Sequence, residues 1–174
     1  MARPAAPQPS SRATASQAPA LSRGAVALRH ALHFYWRLVR PMTLGVRAAL
    51  IDPERGVFLV RHGYTPGWHM PGGGGEAGET LAEAMAREVR EEGNISIDGA
   101  LSLHGIFFNR GISRRDHVAV YVVRTFTQTG PRPPDREIVE TGFFRMDALP
   151  SGITRGTRER LEEIHGERPL SPYW

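Results

Sequence analysis

The 174-residue chain predicts an α/β fold. Short apolar runs bounded by turn residues recur along it, two segments past residue 79 carry helical periodicity, and the two kinds of segment are mixed along the chain. With 40% apolar residues the chain can bury one core, as its length also implies. No apolar run approaches the roughly 18 to 20 residues of a membrane-spanning helix, so a soluble, cytoplasmic protein without a transmembrane segment is expected. The absence of cysteine excludes disulfides and thiolate metal sites and leaves oxygen or imidazole as metal ligands. All 22 basic residues are arginine, a bias that points to a GC-rich, bacterial genome.

Charge is divided unevenly along the chain. Residues 1–51 contain seven arginines (Arg3, Arg12, Arg23, Arg29, Arg37, Arg40, Arg47) and no acid, while the remainder sets fifteen arginines against eighteen acids. The high pI therefore belongs to the N-terminal part, and no nucleic-acid partner is expected of the rest. Residues 1–23, rich in Pro, Ala and Ser, lack the apolar surface to offset ordering entropy. They read as a disordered basic tail of a GC-rich sequence rather than an organelle transit peptide.

A helix is expected within residues 24–41. Leu28, Ala31, Leu32, Tyr35 and Val39 share one stripe, Arg29, His33, Arg37 and Arg40 another, and Pro41 ends the pattern. Its apolar stripe suits packing on its own domain or on a second subunit, which allows a homodimer; a membrane surface is the alternative. The main domain should occupy residues 42–166, followed by a C-terminal tail at 167–174. Within it, 43–51 and 56–62 read as strands joined by a turn at Asp52-Pro53-Glu54-Arg55, and 101–109, 117–126 and 142–146 as further strands. Thr154 to His165 reads as the last helix.

The densest chemistry lies in residues 71–94, PGGGGEAGETLAEAMAREVREEGN. Thr80 and Glu83 have the spacing of a capping box, which starts a helix. Leu81, Ala84, Met85 and Val89 give that helix a buried face, and Glu88, Glu91 and Glu92 at i, i+3 and i+4 place three carboxylates on one patch. Like charges at that spacing are unfavourable unless something positive compensates, as Arg87 and Arg90 can in part. Consecutive glycines ahead of the helix allow close backbone approach to a ligand and free carbonyls to face it. Carbonyl and carboxylate together make an oxygen-only shell suited to Mg²⁺, with Mn²⁺ able to substitute, and shared with substrate phosphates.

This stretch resembles the Nudix box. Read from Gly73, Glu79 falls at the first glutamate, Arg87-Glu88-Val89 at the middle triplet, Glu91-Glu92 at the pair and Ile95 at the final aliphatic position. Asn94 departs from the pattern by standing where the last glycine belongs, and Asn is the next residue most tolerant of a left-handed cap. Trp68 and Pro71-Gly72 also resemble the family. The resemblance implies a Nudix-type α/β/α sandwich around a mixed sheet. It also implies Mg²⁺-dependent hydrolysis of a nucleoside diphosphate linked to another group, ADP-ribose-like or a dinucleotide. A nucleoside triphosphate pyrophosphohydrolase is the alternative, and a non-catalytic nucleotide-binding module on the same scaffold is a reading of another class. Carried over by position, Glu88, Glu92 and the carbonyl of Gly72 would hold the metal, Glu91 would be a third ligand or orient the attacking water, Arg87 would steady the glutamates, and Glu79 would brace the loop or pair with Arg87.

Candidates outside the box are weaker. Glu137 or Glu140 could supply one more catalytic acid, with Glu140 favoured for its proximity to a strand. Arg110, Arg114 and Arg115 could clamp substrate phosphates. Tyr64 and Trp68 could stack on a base, although an aromatic residue there serves a core equally well. No base role is assigned to His69 or His117, and no nucleophile-elbow motif supports a Ser/His/Asp triad.

Overall fold

The computed structural model describes residues 23–39 and 41–174, so nearly all of the expected tail at 1–23 lies outside the described residues. Contacts divide the chain between Pro41 and Met42 into two units. The first contains α1 (Arg23–Val39), whose last residue lies two positions before Pro41. No helix among the described residues is long and apolar enough to cross a membrane.

The second unit opens with β1 (Thr43–Asp52) and β2 (Gly56–His62), the strands read from the sequence, joined at an Asp52 turn whose Oδ1 accepts from the N–H groups of Glu54 and Arg55. Next come β3 (Trp68–His69), α2 (Leu81–Gly93), β4 (Ile95–Ile97), β5 (Ser102–Phe108), β6 (Asp116–Val123), β7 (Phe126–Gln128) and β8 (Ile138–Phe144). A 3₁₀ turn at Met146–Ala148 leads to α3 (Arg155–Ile164). The expected strand 117–126 is two strands, because the chain leaves the main sheet after Val123 and β7 pairs with β4 in a separate ribbon. The last strand begins earlier than the apolar run 142–146 suggests, since Ile138–Thr141 pair with β2 although the segment contains two polar residues.

The main sheet has six strands in the order β3-β2-β1-β6-β5, with β8 on β2. β1 runs parallel to β6 over eight paired residues, Thr43–Leu50 against Asp116–Val123, while its pairing with β2 is antiparallel and confined to Ile51 and Asp52. The sheet is therefore mixed. Val46, Ala48 and Leu50 point to one face, where Ala84, Met85 and Val89 of α2 cover them with Phe58 and Val60. Ala49 points to the other, among Leu59, Met70, Phe107, Val120 and Leu161 of α3. Period-two alternation in β1 thus serves two apolar layers and makes an α/β/α sandwich.

Residues 167–174, expected as a tail, are docked. Phe108 N–H donates to the Pro172 carbonyl and Trp174 N–H to that of Phe108, and Trp174 packs into the α3-side core. Arg160 holds this end down: fully buried, it donates to Glu163 at 2.6 Å and to the Tyr173 carbonyl, with its guanidinium 4.2 Å from the Phe107 ring centre.

α2 begins and ends as its sequence dictates. Thr80 accepts from Glu83 N–H and Glu83 returns a bond to Thr80 N–H, completing the capping box. Asn94 closes the helix at φ 52° and ψ 38°, the only non-glycine with positive φ among the described residues. Asn94→Gly is expected to be neutral or mildly stabilising, whereas Asn94→Val should cost on the order of 1 kcal/mol or more through left-handed strain. Denaturant melts of the two variants check this, and equal stabilities would rule out a strained cap.

Candidate active site

The glycine loop runs along β1 in the place of a neighbouring strand. Val46 N–H donates to Gly73 O at 2.8 Å, Ala48 N–H to Pro71 O at 2.9 Å, and Gly75 N–H to Leu44 O at 3.2 Å. At Gly72, φ is +137° and a Cβ would stand 2.1 Å from the Val46 carbonyl, so no side chain fits. At Gly73 a Cβ would lie 2.5 Å from Glu88 Oε1. The loop glycines thus admit β1 on one side and a helix carboxylate on the other.

Glu92 lies at the bottom of the resulting cup. Its carboxylate is buried, and Oε2 accepts from Gly72 N–H at 2.7 Å while Oε1 lies 3.6 Å from His62 Nε2. Burial pushes the Glu92 carboxyl up to about 7, aided by the charges of Glu88 and Glu137 and opposed by the Gly72 N–H and Arg47. His62 is pushed down to about 4 by burial and by Arg47 and His69, and neither ring nitrogen has a hydrogen-bond partner among the described residues.

Arg87 ties the rest of the patch together. It donates to Glu79 at 3.0 and 3.1 Å, to Glu88 at 2.8 Å, to Glu91 at 3.5 Å and to the Gly74 carbonyl at 3.0 Å, and Glu79 and Glu88 raise its pKa further. Both bracing roles expected of Arg87 and Glu79 have matching contacts here. Glu91 differs from Glu88 and Glu92: its side chain is exposed, between Arg87 and Arg90. Among the described residues, no three His, Cys, Asp or Glu side chains converge as a metal-holding group. The three carboxylates of one helical patch do not meet at one point, because mutual repulsion and two interposed cations keep them apart.

One of those cations was absent from the sequence reading. Arg47 interrupts an otherwise apolar central strand, and its guanidinium donates to Met70 O at 3.1 Å and to Gly72 O, the carbonyl expected to bind metal. Burial lowers its pKa while Glu92 and Glu88 raise it. The signal was available: a single charge in TLGVRAALI, a strand that pairs on both edges. What the sequence could not give was the face on which it emerges. That face opens on a cleft of about 620 Å³ between the glycine loop and the loop after β5, lined among others by Thr43, Arg47, Gly74, Glu79, Asn109 and Asp116. The donor chemistry of Glu88, Glu92 and the Gly72 carbonyl, all oxygen, fits a hard divalent cation.

Other sequence candidates are scattered. Glu140 pairs with Arg61 at 2.5 Å across β8 and β2, with both side chains about half exposed. Glu137 is exposed, and its charge helps to raise the pKa of Glu92 and of Tyr64. Tyr64 is exposed and tilts over His62 at 5.1 Å. Trp68 is a core residue packed edge-on against Phe144, because alternation in β3 turns it inward, and it is not available to stack on a substrate. Arg110, Arg114 and Arg115 are exposed on the loop that borders the cleft, and Arg110 lies 4.7 Å from the Tyr173 ring centre. His69 contacts the Pro66 carbonyl at 3.2 Å and His117 stacks on Phe108, as packed histidines do.

A carboxyl whose folded pKa stands near 7 against an ordinary 4.5 takes up a proton on folding between those values. Stability from this group is therefore greatest at low pH, falls as pH rises through that window and levels off above 7. In chelator, Glu92→Gln should gain on the parent between pH 5 and pH 8 by on the order of 2 kcal/mol. Denaturant melts at the two pH values measure the gap, and an unchanged gap would mean that Glu92 is not desolvated.

Comparison with known proteins agrees with this architecture. The model of the NUDIX domain family matches residues 41–164. An ADP-ribose pyrophosphatase of Methanocaldococcus jannaschii is 29% identical over 104 residues, which make up 58% of this chain and 61% of that protein. The chain thus spans less than two thirds of that relative. A MutT NUDIX hydrolase from Burkholderia pseudomallei superposes with a TM-score of 0.61 at 25% identity, covering 70% of this chain and 97% of that one. An ADP-ribose pyrophosphatase from Streptococcus suis superposes with a TM-score of 0.54 at 23% identity, over 76% of this chain and 95% of that one.

Proposed function

We propose, from the premise that this chain belongs to the NUDIX family, that it hydrolyses the phosphoanhydride bond of a nucleoside diphosphate linked to a further group, ADP-ribose or a dinucleotide being the nearest class. The observation that carries this reading is the junction at Gly72. Its amide holds the buried Glu92, its carbonyl faces Arg47, and Arg47 lines the cleft beside it. An oxygen-lined cup that opens on a cleft with a fixed cation suits a polyanion that brings its phosphates to a metal. The M. jannaschii relative, an ADP-ribose pyrophosphatase, supports the same substrate class.

Magnesium or manganese, held by Glu88, Glu92 and the Gly72 carbonyl with Glu91 nearby, would supply Lewis acidity toward a phosphoryl oxygen and lower the pKa of a water. The remaining work falls to the chain itself. Glu92, with its raised pKa, presents less fixed negative charge to an incoming polyanion than an exposed carboxylate, and in its ionised form it would be one of the oxygens that hold the cation. Arg87 spreads positive charge over Glu79, Glu88 and Glu91, so the helix holds its acids in place without collapse or splaying. Glu137, whose charge acts on both Glu92 and Tyr64, would be the acid outside the box to accept a proton from the attacking water. Arg47 offers its planar donors from the cleft floor to substrate phosphate.

The deciding experiment is product analysis, for nucleoside monophosphate and the phosphorylated second product, after incubating a panel of nucleotides with the full chain. Activity should require Mg²⁺ or Mn²⁺ and disappear in EDTA. Glu92→Gln should lower kcat by on the order of a hundredfold or more while the protein stays folded. Arg47→Gln should act mainly through KM, because it removes a contact to ground-state phosphate. Undiminished turnover in EDTA would overturn the mechanism, and preference for a plain nucleoside triphosphate would overturn the substrate class.

A further inference from the structure

The family match begins at residue 41, which leaves α1 outside everything the catalytic reading uses. From Leu28 onward, at 3.6 residues per turn, its large apolar residues sweep from Phe34 through Leu38, Tyr35, Leu28 and Leu32 to Trp36, an arc of about 200°. Arg29, His30 and His33 fall outside that arc. Leu28, Phe34, Tyr35 and Leu38 are each more than half exposed. Every charged residue of the helix is cationic, and so is every charged residue in the 51 positions from the first methionine onward.

We propose that α1 is an interfacial anchor that lies along the surface of a bilayer containing anionic lipid, with its apolar arc among the upper acyl chains and its arginines at the headgroups. Charge decides the choice of partner. A second copy of the helix would bring cations against cations with no acid to pair them, whereas an anionic surface supplies counter-charge to every arginine at once. Width points the same way. A two-helix seam uses a narrow stripe, and an arc of about 200° leaves much of itself uncovered there but immersed at a lipid interface. Three consecutive aromatic residues, Phe34-Tyr35-Trp36, put amphipathic rings on the same segment, and Tyr35 and Trp36 meet edge-on at 5.3 Å. Such rings favour the headgroup level. At about 26 Å the helix is long enough to grip a surface, and it does not qualify as a span. The proposal places the proposed hydrolase at a membrane face without depending on its activity.

Co-sedimentation of the full-length protein with vesicles of phosphatidylcholine alone, and of phosphatidylcholine with phosphatidylglycerol, tests this. Binding is expected to the anionic vesicles only and to weaken as salt is raised. Arg29→Gln should weaken it about fivefold, the effect of one cation near an anionic surface. The double variant Leu28→Ser/Leu32→Ser should abolish it, with the melting temperature of both variants unchanged. Absence of binding, equal binding to neutral vesicles, or full binding by the double variant would each overturn the proposal. So would a dimer in light scattering that the double variant dissociates while the parent ignores vesicles, since a second copy would then cover the helix.

Discussion

The backbone pairing between β1 and the glycine loop is the constraint on which the site depends. β1 gives one edge to β6 for eight residues and, over Leu44–Ala48, gives the other to residues 71–75 instead of to a strand. A loop can run that close only without side chains, and the 2.1 Å approach of a Cβ at Gly72 to the Val46 carbonyl makes the requirement absolute. Once this pairing is fixed, Gly72 must point its amide at Glu92 and its carbonyl at Arg47. A slip of one residue would turn Arg47 into the apolar layer beneath α2 and Val46 into the cleft. Position at the cup is thus inherited from the centre of the sheet, where eight ladder pairs and two apolar layers resist movement.

Charge around the cup is arranged against stability and in favour of cation binding. Glu92 is taken out of water with one amide bond and no salt bridge to a fixed cation at contact distance, and its raised pKa records that cost. Arg47 and Arg87 both donate to carbonyls of the loop, Arg47 to that of Gly72 and Arg87 to that of Gly74. Neither closes a simple ion pair that would lock Glu92. A buried carboxyl with a single amide partner and a second acid nearby has a charge balance that a cation would improve.

The far side of the molecule uses a buried charge differently. Arg160 is wholly enclosed, but Glu163, the Tyr173 carbonyl and the face of Phe107 surround it, so it works as a clamp rather than as a site. The clamp fastens the last residues along β5 and brings Trp174 into the core under α3. Two buried arginines, one open to a cleft and one closed by its partners, show how surroundings rather than residue type separate function from structure.

The sequence by itself determined what depends on neighbours in the chain. The capping box at Thr80, the left-handed Asn94, the apolar stripe of α2, the Asp52 turn and the limits of β1 and β2 follow from local spacing and conformational preference, and they stand as read. The spacing of Glu79, Arg87, Glu88 and Glu92 identified the box because a helix fixes those intervals. Tertiary structure alone decided which charges face one another. It left Glu91 exposed while Glu92 is buried, drew Arg47 to the Gly72 carbonyl across 25 residues of chain, paired Glu140 with Arg61, and turned Trp68 into the core. It also split one apolar run into β6 and β7 and docked the C-terminal residues. The physical reason is common to all of these: helix and turn geometry is written in intervals of three or four residues, whereas the face a strand residue presents and the partner it meets are set by sheet register between segments distant in sequence.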